Sequence, residues 1–195
     1  AGRPMLLHST GNPKGLAFAR HPEVAHISQQ GPATPDHIIR TKRLPMLGPD
    51  VESYVEAYRE YFETHAPKAK EPKTMLDPAP RAVLDPNLGL CTVGKSIGDA
   101  QIVADIYDHT IDVILKAEAL GGYQALPAAD LFDMEYWDLE QAKLRKGGAT
   151  PMFQGEVALV TGAASGIGAA AVREFTARGA AVVGLDIDPA VTQVM

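Results

Sequence analysis

The chain has 195 residues, 46% hydrophobic and 22% charged, with a formal net charge of −6; this is the composition of a globular protein with one large or two modest domains. The acidic balance excludes a broad electrostatic footprint for nucleic acid or an anionic membrane, both of which need clustered Lys and Arg. A single cysteine, Cys91, excludes an intrachain disulfide. With no signal-peptide pattern and no apolar run of roughly 18 residues, the chain is read as cytoplasmic.

Residues 1–49 are rich in Pro, Gly and His and predict short helices and turns, the clearest being one capped by Thr34 with Pro35 in its first turn. Val51, Tyr54, Val55, Tyr58, Tyr61 and Phe62 then recur at helical spacing, with Asp50 as cap and Pro67 beyond the end. After a Lys/Pro linker over residues 68–80, residues 81–84 and 88–93 predict two short strands around the turn signal Asp85-Pro86-Asn87. Ser96 and Asp99 form a capping-box pair before a long helix whose apolar face includes Ile102, Val103, Ile106, Ile114 and Leu120, stopped by Gly121. Residues 130–146 predict a surface helix with Trp137 docked inward, and Gly147-Gly148 a hinge. The domain boundary is placed near residue 150, giving segments 1–150 and 151–195. The chain starts at Ala1 rather than Met and stops just after a completed strand, so both ends read as cut.

The most informative stretch is residues 153–188. Val157-Ala158-Leu159-Val160 is a buried-strand run, followed by Thr161-Gly162-Ala163-Ala164-Ser165-Gly166-Ile167-Gly168 and a helical segment ending at Gly179. Strand, glycine turn and helix in this order suit a pyrophosphate, because the N–H groups and positive dipole end of the helix face it. Gly162 serves the tight turn, Gly166 the close approach and Gly168 the packing of helix on strand. Asp186 ends the next strand, about 20 residues past the glycines, where a carboxylate meets ribose hydroxyls and disfavours the extra phosphate of NADP. The candidate cofactor-binding set is Gly162, Ser165, Gly166, Ile167, Gly168, Asp186 and Ile187, and the cofactor is NAD. So small an open parallel unit leaves apolar faces partly uncovered.

The spacing Thr-Gly-x-x-x-Gly-x-Gly over residues 161–168 resembles the nucleotide-binding motif of the short-chain dehydrogenase/reductase family. That resemblance implies NAD-dependent hydride transfer assisted by a Ser and a Tyr-x-x-x-Lys pair. Four residues on from Tyr54, Tyr58, Tyr61, Tyr107, Tyr123 and Tyr136 stand Tyr58, Phe62, His65, Ile111, Pro127 and Glu140, never Lys. No catalytic residue is therefore assigned.

Upstream, the strand Gly89-Leu90-Cys91-Thr92-Val93-Gly94-Lys95 leading through Ser96-Ile97-Gly98-Asp99-Ala100 into a long helix resembles the late part of class II aldolases of the fuculose and rhamnulose phosphate type. With residues 30–45 and 130–137, and a dehydrogenase start behind them, the chain resembles the bifunctional rhamnulose-phosphate aldolase/short-chain dehydrogenase family. The implied fold is an aldolase-like α/β segment followed by the first strand-helix-strand unit of a Rossmann doubly wound parallel sheet. The implied activity is oxidation or reduction of small alcohols or aldehydes in carbohydrate degradation, by a homo-oligomer when intact. The aldolase family's metal-binding His-Gly reads Leu88-Gly89 here, and its paired His-x-His is absent. No metal ligand is assigned.

Other signals compete. Residues 89–96 fit the P-loop string, with Lys95 for phosphate and Ser96 for magnesium, although residues 90–93 read as a strand. Arg40, Lys42 and Arg43 could grip a sugar phosphate, but a solvated helix terminus is the favoured expectation. His21 and His26 are more simply surface or hydrogen-bonded core residues than ligands, and Cys91 a small buried hydrophobe. A non-catalytic interaction or assembly module is the alternative from a different functional class.

Overall fold

A computed structural model describes residues 4–144 and 149–194. In chain order the elements are β1 (Leu6–Ser9), α1 (Pro13–Ala19), α2 (Val24–Ile27), α3 (Ile38–Thr41), β2 (Met46–Leu47), α4 (Val51–His65), β3 (Ala82–Asp85), β4 (Gly89–Gly94), α5 (Ile97–Ala119), α6 (Ala128–Glu135) and α7 (Asp138–Ala142). They are followed by β5 (Val157–Thr161), α8 (Gly166–Ala177), β6 (Ala181–Leu185) and α9 (Val191–Val194). The fold is α/β.

The first sheet has the order β1-β4-β3-β2. β3 and β4 form an antiparallel hairpin, Ala82 facing Thr92 and Asp85 facing Gly89. Its turn is shaped by Asp85, whose Oδ1 accepts the N–H groups of Asn87 (2.7 Å) and Leu88 (3.0 Å), the local self-bonding that suits Asp to turns. β1 joins the far side of β4 antiparallel, and β2 adds to β3 in parallel. A second, two-stranded sheet pairs β5 and β6 in parallel, with Val157 opposite Ala181 and Thr161 opposite Leu185. α8 is the crossover that a parallel pair requires.

Helix α5 starts where its cap is, the Ser96 hydroxyl accepting the Asp99 N–H at 3.1 Å. Its buried face is Ala100, Val103, Ala104, Tyr107, Thr110, Ile111 and Ile114, a run of threes and fours that forms one stripe. Ile111 and Ile114 meet Phe18, Ala82, Leu84 and Leu90 in the main core. Lys14 on α1 bonds Asp108 (2.8 Å) and Asp112 (2.9 Å), fastening α1 along the same helix.

Several sequence expectations are corrected. Ile102 (37% exposed) and Leu120 (89%) lie off the buried stripe of α5, because they fall about one residue out of phase with Val103 and Ile114. Thr34 precedes a 3₁₀ turn over Pro35–His37 that runs directly into α3, with Pro35 at its start as expected, but the Thr34 side chain makes no capping bond. The helix expected over residues 130–146 is broken into α6 and α7, and Trp137 is 48% exposed rather than docked. Tyr136 takes the inward place, stacking on Phe132 at 4.4 Å, whereas Trp137 lies in the break between the two helices, where its backbone is extended (φ −75°, ψ 124°). The Gly147-Gly148 hinge lies outside the described residues.

These packing assignments have a direct test. Ile111→Ala, at a fully buried position, should lower the unfolding free energy of the intact chain by about 2–5 kcal/mol in a denaturant melt. Leu120→Ala should change it by less than about 0.5 kcal/mol.

Candidate functional site

β5 ends in the glycine turn. Gly162 and Gly166 have φ of 66° and 53°, a region that strains any residue with a Cβ, and a Cβ at either would meet nothing within 4 Å. The space in front of both is open. At Gly168 an added Cβ would stand 1.9 Å from the Gly162 carbonyl oxygen. Its small size thus lets α8 sit on the turn itself, a correction to the expected packing on the strand.

Ser165 is the extended residue before α8, and its side chain makes no capping bond. The Ala169 N–H reaches the Ser165 carbonyl at 3.1 Å, so the N–H groups of Gly166, Ile167 and Gly168 precede the first intrahelical bond. They form a row of donors at the positive end of the helix. Ile167 is 91% exposed beside them.

β6 closes the site from the other side. The Ala163 N–H donates to the Leu185 carbonyl (3.2 Å), and Asp186 Oδ2 accepts the Ala164 N–H (2.9 Å). Asp186 Oδ1 accepts the Asp188 N–H (2.9 Å). The backbone N–H bonds from Asp188 and Ala164 hold the Asp186 carboxyl below its ordinary 3.8, so it is ionised at neutral pH, with lone pairs left for further donors. Ile187 follows, fully exposed. All the sequence-assigned residues therefore sit around the turn or at the adjoining end of β6.

The P-loop string does not form a loop. Gly89–Gly94 is β4, paired on both sides by β1 and β3, so its backbone donors belong to ladders and cannot cradle a phosphate. Cys91 is buried (1% exposed). His21 Nδ1 accepts the Glu23 N–H at 3.1 Å, and among the described residues no group of His, Cys, Asp or Glu is arranged to hold a metal ion.

Of the three basic residues at the end of α3, Arg40 lies 3.9 Å from Asp99, whereas Lys42 overturns the expectation of a solvated terminus. It is 6% exposed. Its backbone has φ 64°, turning the chain inward, and Nζ bonds Glu135 Oε1 (3.1 Å) and the Tyr58 hydroxyl (2.8 Å). Tyr58 donates to Glu135 Oε1 (2.8 Å) and lies 2.8 Å from the Tyr136 hydroxyl. Burial pushes the Lys42 ammonium below its usual range despite the Glu135 charge. Glu135 was missed in the sequence, although it falls on the same helical stripe as Leu131, Phe132 and Tyr136, where a lone carboxylate demands a partner.

With this geometry in view, residues 1–144 match the family described as aldolase class II, second domain. The chain belongs to the class II aldolase family. It is also similar to the uncharacterized oxidoreductase YuxG of Bacillus subtilis (strain 168), 30% identical over a gapped alignment 203 residues long that covers 95% of this chain and 29% of the relative. A shorter likeness, 46% over 54 residues, or 27% of this chain and 18% of the relative, is to short-chain dehydrogenase reductase 4 of Arabidopsis thaliana. The chain thus spans less than a third of either relative. No solved structure matches significantly. In this class II aldolase segment Leu88 stands half-exposed at the hairpin turn just ahead of β4.

Two measurements follow. Lys42→Met should destabilise the chain by about 3–5 kcal/mol, since it strands the Glu135 charge, and Lys42→Met with Glu135→Leu should recover most of that loss. Because its folded pKa is depressed, Asp186 contributes stability above its unfolded value that disappears as pH falls through the folded one. The Ala164 amide resonance should accordingly titrate with a midpoint below 3.8; a midpoint at or above that value contradicts the clamp.

Proposed function

We propose that the chain is a segment of an NAD-dependent short-chain dehydrogenase/reductase fused to a class II aldolase-like region, acting on small alcohols or aldehydes in carbohydrate degradation. The observation that carries this is the run of N–H groups from Gly166 to Gly168 ahead of the first intrahelical bond of α8, with open space at Gly162 and Gly166 and the Asp186 carboxylate at the neighbouring strand end. The likeness to an oxidoreductase and to a short-chain dehydrogenase supports it. The boundary near residue 150 between the aldolase-like and dinucleotide-binding parts belongs to the same proposal, as do a cytoplasmic location and a homo-oligomeric parent.

The residues fit a dinucleotide. Gly162 and Gly166 leave room where side chains would intrude, and Ser165, Gly166, Ile167 and Gly168 present donors to a pyrophosphate. Asp186 accepts the ribose hydroxyls and repels a 2′-phosphate, with Ile187 beside it as an apolar surface for the base. The cofactor, when bound, supplies hydride exchange. This chain's own part is grip and orientation, since no Tyr in it stands four residues before a Lys.

Calorimetric titration of the intact chain with NAD⁺ and NADP⁺ tests the proposal. NAD⁺ should bind the tighter, and Asp186→Ala should weaken it roughly tenfold, the worth of a charge-assisted hydrogen bond. Asp186→Asn, which keeps an acceptor for the Ala164 N–H, should narrow the preference between the two cofactors. Absence of binding to either would sink the dinucleotide role and favour an assembly module.

A further inference from the structure

A cavity of about 360 Å³ lies between α4 and the segment joining α3 to β2, within the size range of small-molecule sites. Its walls are largely apolar and aromatic, with Met46, Leu47, Tyr54, Tyr58 and Tyr61 among them, and Arg43 is the cation on the lining.

The polar groups around it are already engaged, with one exception. Tyr54 donates to the Leu44 carbonyl (3.0 Å), and Gln29 Nε2 to the Pro45 carbonyl (3.0 Å). The Tyr58 hydroxyl is held by Lys42, Glu135 and Tyr136. Asp50, the carboxylate on the lining, caps α4 through the Ser53 N–H (3.0 Å) and hydroxyl (2.7 Å). Arg43 differs from all of these. Its guanidinium carbon lies over the Tyr61 ring at 4.7 Å, it is half-buried, and among the described residues no hydrogen bond or ion pair takes its donors.

We propose that this cavity binds a small molecule with an apolar or aromatic body and one carboxylate, the carboxylate pairing with the Arg43 guanidinium and the body filling the space beside Tyr54, Tyr58 and Tyr61. A planar guanidinium fixed on a ring presents its donors in the paired geometry that a carboxylate accepts. The buried Lys42 immediately before it fixes the chain's course, so the fork is pre-set rather than searching. The apolar walls exclude water and strengthen the pair. This site is separate from the glycine turn and does not depend on the cofactor.

The test uses the intact chain, titrated by protein-observed NMR with benzoate and with benzamide, its neutral counterpart of the same shape. Benzoate should shift resonances of Arg43, Tyr54 and Tyr58 and bind roughly tenfold more tightly than benzamide. Arg43→Gln should bring benzoate down to the benzamide level, while Arg43→Lys retains part of the difference and shows that the fold persists. Equal binding of the two probes, no benzoate binding, or an Arg43→Gln chain that still prefers benzoate would each overturn the proposal.

Discussion

Two opposite charges shut away from water cannot be separated cheaply, and the pair formed by Lys42 and Glu135 imposes that constraint on the region between α3 and α6. Each is less than a tenth exposed, and together with the Tyr58 and Tyr136 hydroxyls they bind the end of α3 to α4 and α6. Desolvation of the two ions works against the fold, and their mutual attraction with the added hydroxyl bonds offsets it only while the geometry is kept. The positive φ at Lys42 is the local cost of bringing the ammonium inward. The aromatic packing of Tyr61, Phe132 and Tyr136, and the direction in which Arg43 leaves the turn, are both downstream of that placement.

What could be read from the sequence was whatever neighbouring residues determine. The Ser96 and Asp50 caps, the Asp85 turn and the glycine turn from Gly162 to Gly168 each depend on side chains within a few positions, and their chemistry is written locally. β1 and β2 were missed because they are short and owe their existence to pairing with β4 and β3, distant in sequence. Lys42 was misjudged for the same reason: nothing beside it announces Glu135, 93 positions on. The face of α5 was only partly legible, since Ile102 and Val103 are equally apolar and the sheet decides between them. The P-loop string shows the opposite hazard, a match in letters that strand pairing contradicts. For the glycine turn, local spacing marked the candidate residues, but the Asp186 bond to the Ala164 N–H became visible only when β5 and β6 were set side by side.

The two sheets make different use of their surroundings. In the first, β4 is paired on both edges, and Leu90 and Cys91 are sealed from solvent. In the second, Val157, Leu159, Val183 and Leu185 remain about half exposed or more, and neither β5 nor β6 has a second neighbour among the described residues. The polar site is nonetheless formed there, because the clamp between the turn and Asp186 requires only the two strands and the helix that joins them.

Trp137, the one indole in the chain, stands on the rim of a hollow between α6 and the segment near Lys68–Lys73 rather than in the core. An intrinsic-emission experiment would therefore sense water at this corner even in the fully native protein, and loss of the central packing would move its spectrum little. The cluster of tyrosines nearby, Tyr136 being its sequence neighbour, can still pass excitation to it. Light absorbed in the buried ion-pair region would then emerge at the surface, making the indole a reporter of how close those two places stay.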